Sequence, residues 1–400
     1  MVYKAAFVSS DGENVDRHFG RAEQFYIYLI DEEEKKSRLI EVRGNVPACD
    51  QQTHSHSVES LENAYEQIRD CRGVFAECIG DGARGFLAER GIQAFETPYT
   101  IDEVLHALLY SKVKLIYRQI HPCMGGTAHQ NYGRLHLPVS PVCNIQCRFC
   151  KHGLNKTEIR PGVSSVILKP SEAVETVGKA LELCPQLSVV GIAGPGDTLA
   201  TDNALDTFAL VREAYPKLLS CLSTNGLYLP QKADRIADLG IETVTVTVNA
   251  VNPEILTKIC AWVTDENGER QEGVPACQRL IHAQLAGIRK LADRGVFIKI
   301  NTVLVPGIND GHISEIARTV KEAGATLMNI IPLLPQQELA DVPEPDCRML
   351  EKARADASQY LEIFTHCKRC RADACGIPGK GEDLHEKLYE GEVAETFSHG

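Results

Sequence analysis

No stretch of about 18 uncharged apolar residues occurs in the 400-residue chain, so no membrane-spanning helix and no membrane partner are expected. The opening MVYKAAFVSSDGENVDRHFG has no basic start followed by a long apolar core, and no secretory leader is expected either. Positive charge is also short: Lys and Arg number 42 against 54 Asp and Glu, a net charge of -12. A chain that holds a phosphate backbone needs a basic patch, so nucleic acid is excluded as the expected partner. Cysteine occurs 15 times, which is below the roughly 8–10% density of a disulfide-stapled secreted scaffold. With 44% hydrophobic and 24% charged residues, the composition is neither disordered nor fibrous. What remains is a cytoplasmic globular protein of two or three folded units.

The cysteines are unevenly placed. Residues 1 to 112 contain only Cys49, Cys71 and Cys78, and the other twelve begin at Cys123. Charge changes at the same place: the first 112 residues carry 20 acidic and 12 basic side chains, net -8, leaving -4 for the remaining 288. Clustered cysteines in a chain of this class more often bind metal than form disulfides.

The first segment reads as a small α/β unit, with strands at Val2–Val8, Phe25–Ile30 and Gly73–Ile79. Helices are expected over Ser57–Cys71, after Gly80 and Gly82 through Leu87, and over Glu103–Ser111 behind Thr100 and Asp102. No Pro/Ser-rich linker follows, since VKLIYRQIHPC leads straight into the next segment and predicts two units packed together. From about 136 to 334 strands and helices alternate. Strands are expected at His136–Val142, Leu187–Ala193, Leu218–Ser223, Thr243–Asn249, Phe297–Val305 and Leu327–Leu333, and helices at Ser171–Leu183, with Ser171 as cap, and Arg279–Arg294. Six βα units rich in Val, Ile and Leu imply a parallel sheet buried on both faces, with chemistry at the strands' C-terminal ends. A helix over Arg348–Phe364, the Cys-rich loop HCKRCRADACGIPGKGED and a polar tail complete the chain. The expected division is 1–115, 116–335 and 336–400.

The strongest chemical signal is Cys143, Cys147 and Cys150, a CxxxCxxC spacing after the first strand of the alternating region. Three thiolates on one loop can each bind one iron of a [4Fe-4S] cube and leave the fourth iron open; a zinc site or three core cysteines would use the same residues. Spacing, placement and Phe149 together resemble the radical S-adenosylmethionine (SAM) superfamily. The resemblance implies a partial (βα)6 barrel in which the open iron chelates SAM, and one electron cleaves SAM to a deoxyadenosyl radical. It further implies SAM contacts from Ala193, Gly194, Pro195, Gly196 and Asp197 after the second strand, and from Ser223, Asn225, Asn249 and Asn301 on later ones. The turn Val305–Gly307 resembles the family's adenine contact. Read alone, GPGD is only a turn.

HPC at 121–123, RLHLPVSPVCNIQCRFC at 134–150, RPGV at 160–163, VVGIAGPGD from Val189, CLSTNGL at 221–227, VPGIND at 305–310 and CKRCRAD at 367–373 occur in order. Together, over residues 121 to about 383, they resemble the NifB family, radical SAM proteins that make the carbide-centred precursor of the nitrogenase iron-molybdenum cofactor. The resemblance implies two further [4Fe-4S] substrate clusters, one held by Cys123, His136 and Cys221 and the other by Cys367 and Cys370, with Glu158 as a further candidate ligand. A mixed, incomplete ligand set suits clusters that must be released. Without the family, Cys221 reads equally as a core thiol and His136 as a core imidazole. Arg369 and Arg371 beside the CxxC pair favour thiolate there. The implied chemistry is methyl transfer from one SAM to a cluster sulfide, hydrogen abstraction by a radical from a second SAM, and fusion of the two cubes with an added sulfide into [8Fe-9S-C]. His366 and Cys375 are not counted as ligands, Cys184, Cys260, Cys277 and Cys347 read as structural, and His152–Gly153 has no assigned role.

DGENVDRHFGRAEQFYIY at 11–28 and IGDGARGFLAERGI at 79–92 resemble the dinitrogenase iron-molybdenum-cofactor-binding family, NifX-like carriers with a small ribonuclease-H-like α/β fold. The resemblance makes His18 a candidate cluster contact, with loop capping as its other role. NifB proteins that carry such a domain usually have it after the barrel, whereas here it comes first. Implied partners are an iron-sulfur cluster donor, a cofactor-assembly scaffold and a reductant protein. Two other readings use the same residues: a radical SAM enzyme on an unrelated substrate with one auxiliary cluster, and a non-catalytic iron-sulfur scaffold.

Overall fold

The computed structural model describes residues 2–31, 34–47, 58–97, 99–110, 120–124, 126–381 and 383–389. Cys49, Ser57, the linking residues 111–119 and the tail from 390 onward lie outside the described residues. The chain divides into two compact units, 1–119 and 120–400.

In the first unit, β1 (Val2–Val8) lies at the centre of a five-stranded sheet with β2 (Gln24–Asp31), β3 (Lys36–Gly44), β4 (Cys71–Ala76) and β5 (Gln93–Glu96), in the order β3-β2-β1-β4-β5. Only β2 runs antiparallel to β1; β3, antiparallel to β2, and β4 and β5 all run in the direction of β1. Period-2 alternation on β1 feeds two cores. Ala6 and Val8 pack with Ile68 and Leu87 of helices Val58–Ile68 and Asp81–Glu89, while Ala5 and Phe7 pack with Val104 and Leu105 of helix Ile101–Tyr110. Phe75 stacks between Phe7 and Phe95 at centroid distances of 5.0 and 4.7 Å. Thr100 opens the last helix as expected: its Oγ1 accepts from Glu103 N at 3.2 Å and its N donates to Glu103 Oε2 at 3.0 Å, a reciprocal capping box. β3 escaped the sequence reading because KSRLIEVRG is mostly polar, the usual protection of an edge strand.

The second unit is built on a parallel sheet. β6 (Gly133–His136), β10 (Leu187–Ile192), β11 (Leu219–Thr224), β12 (Thr243–Thr247), β15 (Phe297–Leu304) and β16 (Leu327–Pro332) pair in chain order, the arrangement of a partial (βα)6 barrel. β17 (Glu362–Ile363) extends one edge in parallel, and β18 (Cys375–Gly376) closes the other against β6 in antiparallel fashion. Smaller sheets join β7 (Ile145–Cys147), β13 (Cys260–Thr264) and β14 (Arg270–Glu272), and β8 (Gly153–Leu154) with β9 (Val163–Ser164).

The sheet is not apolar on both faces. Leu135, Val190, Ile192, Leu222, Val244, Val246, Ile298, Ile300, Met328 and Ile330 face the helices and form the main core. The alternate residues, His136, Gly191, Cys221, Ser223, Thr243, Thr245, Thr247, Lys299, Asn301 and Asn329, share the other face. That face is largely polar.

Several expected boundaries move: the helix expected over Arg279–Arg294 spans Gly273–Asp293, and the strand expected at Gly73–Ile79 spans Cys71–Ala76. The first strand spans 133–136, not 136–142, because Pro138 and Pro141 have no N–H for the ladder; the chain still follows the sheet, with Leu137 N donating to Gly191 O at 2.8 Å. The helix expected from Ser171 begins at Pro170 and is capped at Lys169, whose N donates to Glu172 at 2.8 Å. The helix expected over 348–364 spans Cys347–Ser358, and the residues after it join the sheet, with Phe364 N donating to Met328 O at 2.8 Å. No helix among the described residues is long and apolar enough to cross a membrane.

Candidate functional site

His136 stands at the end of β6 beside Gly191, which is itself beside Cys221. A Cβ at 191 would stand 3.1 Å from His136 Cδ2 and 3.5 Å from Nε2, so glycine makes the room the imidazole occupies. The Nδ1 of His136 lies 3.0 Å from the Arg371 carbonyl, and burial holds the ring far below its usual pKa, at about 4. A neutral imidazole donating from Nδ1 to a carbonyl presents its Nε2 lone pair, as metal-bound histidines do. No described residue hydrogen-bonds that nitrogen. Cys123 precedes the barrel, its amide donating to His121 Nδ1 at 3.1 Å. Burial pushes its thiol up to about 12, and Cys370 and Cys221 act in the same direction, so the three sulfurs share one neighbourhood.

The CxxxCxxC loop leaves the sheet after Pro141 and adds its own strand β7, in which Cys147 lies opposite Cys260. Burial raises all three thiols, Cys150 to about 11, so they are protonated until a metal displaces the proton. Asn225 orients Cys143: its Nδ2 donates to Asn144 Oδ1 at 2.7 Å and lies 3.7 Å from Cys143 Sγ, while its Oδ1 accepts from Leu227 N at 2.9 Å. His152 Nε2 is 3.2 Å from Cys150 Sγ, a pairing that the i, i+2 spacing did not advertise.

The Ala193–Asp197 turn is clamped to this loop. Gly196 N donates to Ser140 O at 2.8 Å and Asp197 N to Val142 O at 2.9 Å. A Cβ at 196 would fall 2.1 Å from Val142 O, so only glycine lets the turn approach the chain one residue before Cys143. With those two amides engaged, the turn's carbonyls suit an ammonium donor. The buried Asp197 carboxylate is not available to a ligand: it accepts from Thr224 Oγ1 at 3.0 and 3.1 Å, Asn225 N at 2.6 Å and Leu199 N at 3.0 Å. Ser223 holds Thr198 through its carbonyl at 2.5 Å. Asn249 Oδ1 accepts from Val303 N at 2.9 Å and Asn301 Oδ1 from Asn329 Nδ2 at 3.0 Å, which leaves both with an amide NH2 to donate.

The CxxC loop returns to the same unit. Cys370 Sγ accepts from Arg134 Nη2 at 3.2 Å, while Cys367 is exposed. Behind them Arg371 and Asp373, both fully buried side chains, pair at 2.9 and 3.1 Å. Arg371 also donates to Glu158 O at 2.5 Å, Asn155 O at 2.6 Å and Ser165 Oγ at 3.2 Å, and Asp373 accepts from Ser165 N at 2.5 Å. This pair locks the CxxC loop to the segment 155–165 that follows the SAM-type cysteines. Adjacency in RAD is its sequence signal, but partners some 200 residues away are not readable there. Glu158 itself is turned onto Arg160 at 2.6 and 2.7 Å. His129, which the sequence reading passed over, lies in a ring cluster with His366 at 5.6 Å, its Nδ1 3.0 Å from Pro122 O.

In the first unit, His18 caps the short turn Phe19–Arg21, its Nδ1 accepting from Gly20 N at 3.0 Å, and bridges to Cys78. Among the described residues, no three His, Cys, Asp or Glu side chains converge as on a single ion; ligands to separate irons of a cube stand farther apart. Three half-buried thiols on one loop, backed by an amide donor to sulfur, fit a [4Fe-4S] cube with one open iron.

The radical SAM superfamily model matches residues 137–320, and the model described as dinitrogenase iron-molybdenum cofactor matches residues 1–111. Barrel, thiol loop and family match together define a radical SAM iron-sulfur enzyme. A FeMo cofactor biosynthesis protein NifB of Methanocaldococcus infernus is 43% identical over 272 residues, covering 68% of this chain and 89% of that protein. Its counterpart in Methanocaldococcus jannaschii is 42% identical over 274 residues, covering 68% and 91%. The chain belongs to the NifB family. The NifB of Klebsiella pneumoniae is 45% identical over 285 residues, and this chain spans only 60% of its length.

Gly196→Ala places a methyl group against backbone, so it should destabilise the chain by about 1–3 kcal/mol and weaken iron retention by the Cys143 loop. Thermal unfolding and iron content after anaerobic reconstitution test this. Arg371→Met strands Asp373 in the interior and should cost about 3–5 kcal/mol. An unchanged melting temperature would show the lock to be dispensable.

Proposed function

We propose that the chain is a radical SAM synthase that fuses two [4Fe-4S] clusters, a SAM-derived carbide and an added sulfide into the [8Fe-9S-C] precursor of the nitrogenase iron-molybdenum cofactor. The observation that carries this reading is His136, a neutral imidazole with Nδ1 tied to a carbonyl and Nε2 open, on the same sheet face as Cys221. A mixed, incomplete nitrogen and sulfur donor set is more exchangeable than four thiolates and suits a cluster that must be released.

Cys143, Cys147 and Cys150 would hold the resident [4Fe-4S] cluster, which when bound supplies the electron that cleaves SAM. Asn225 keeps Cys143 turned toward that position, and the carbonyls of Ala193, Gly194 and Pro195 accept hydrogen bonds from an amino group. The amides of Asn249 and Asn301 donate to the carboxylate, ribose or adenine acceptors of SAM. Cys123, His136 and Cys221 take one substrate cluster. Cys367 and Cys370 take the other, with Arg134 Nη2 donating to the Cys370 sulfur. Glu158 would ligate only after leaving Arg160. The first unit, with His18, acts as carrier for a cluster, and the route needs a cluster donor, a reductant protein and a receiving scaffold.

Anaerobic reconstitution should load about twelve irons, and addition of SAM and reductant should yield both deoxyadenosine and S-adenosylhomocysteine. About four to eight irons with deoxyadenosine alone would overturn the fusion chemistry. Replacing Cys143, Cys147 or Cys150 with Ala should abolish deoxyadenosine. Replacing Cys367 and Cys370 with Ser should remove about four irons and the eight-iron product while some SAM cleavage persists.

A further inference from the structure

Lys299 places a cation in the interior of the second unit. It lies on β15, in register with Thr245 of β12 and Leu327 of β16, and is only 5% exposed. Its Nζ donates to the Cys123 carbonyl at 3.0 Å and lies 4.2 Å over the Phe364 ring. Phe297, Leu327, Met124 and Phe364 form an apolar cluster at this level. Among the described residues no carboxylate pairs with it.

A buried ammonium without a counterion is costly, and a carbonyl plus a ring face offsets only part of that cost. Lysine is almost never fully buried unless it is paired. Lys299 shares a sheet face with His136 and Cys221 and bonds the carbonyl of Cys123 at 3.0 Å, so it lies beside all three candidate ligands. It thus sits among the groups that become negative when those two thiols lose their protons to bind iron.

We propose that Lys299 is the fixed countercharge of the iron-sulfur cluster held at Cys123, His136 and Cys221, and that it sets that cluster's reduction potential. The proposal rests on the ligand assignment above. When an external one-electron reductant loads the cluster, the cluster gains one negative charge and no bond breaks. A cation held in a low-dielectric interior favours that reduced state. Lys299 is therefore a positioning and tuning residue, acting through charge and through its hold on the Cys123 backbone.

The test uses the full chain, reconstituted anaerobically and titrated with dithionite under electron paramagnetic resonance, with the relevant signal identified as the one lost in Cys221→Ser. In Lys299→Met, the reduced-to-oxidised ratio of that cluster at a given potential should fall at least tenfold, a shift of about 59 mV or more to lower potential for one electron. The signal of the Cys143, Cys147 and Cys150 cluster should keep its midpoint, and Lys299→Arg should restore most of the shift. The iron-free Lys299→Met protein should melt no lower than the parent, since it loses an unanswered buried charge. An unchanged midpoint at the Cys221-dependent cluster would overturn the proposal and leave the ligand assignment standing. A lower melting temperature of the iron-free variant would overturn it as well, by making Lys299 a structural member of the core. If no signal is lost in Cys221→Ser, the ligand assignment itself fails.

Discussion

The constraint on which the second unit depends is that polar groups taken out of water must find partners inside the protein. The sheet turns a largely polar face inward, and several polar side chains on it and on the adjoining loops are answered by a neighbouring strand or loop. Asp197 accepts from Thr224, Asn225 and Leu199; Asn249 and Asn301 each accept from the next strand or its extension. Against that background, the soft and nitrogen donors are the informative ones: the thiols of the CxxxCxxC loop, the open nitrogen of His136, and the sulfurs of Cys123, Cys221 and Cys370, with Cys143 and Cys370 held by Asn225 and Arg134.

Backbone proximity makes this possible. The turn at Gly194–Asp197 can bond residues 140 and 142 only because position 196 has no side chain, and His136 can occupy the face only because position 191 has none. The buried Arg371–Asp373 pair then welds the CxxC loop to residues 155–165, so the two thiol-bearing loops are mechanically one object. Because burial makes the free thiols neutral, charge enters this interior chiefly with iron and sulfide, and Lys299 stands where that charge would accumulate.

Much of this was legible in the order of residues. The CxxxCxxC spacing, the six alternating strands, the change in charge and cysteine near residue 112 and the capping residues of helix 101–110 are local patterns, and local patterns survive in sequence. Edges were less legible. Prolines 138 and 141 shortened the first strand, and Glu362 and Ile363 after Ser358 joined the sheet instead of extending a helix.

By itself, the sequence determined which residues could bind metal and that Cys143, Cys147 and Cys150 lie on the loop after the first strand, because ligand type and strand period are both written in residue order. Tertiary structure alone decided which face each strand turns inward, that Glu158 is held by Arg160, that Asp197 is spent inside the protein, and that Lys299 has no carboxylate partner among the described residues. The reason is physical: burial and partnership are set by residues that are distant in the chain, and Arg371 meets Asn155 and Glu158 only after the barrel has brought more than 200 intervening residues around to its starting strand.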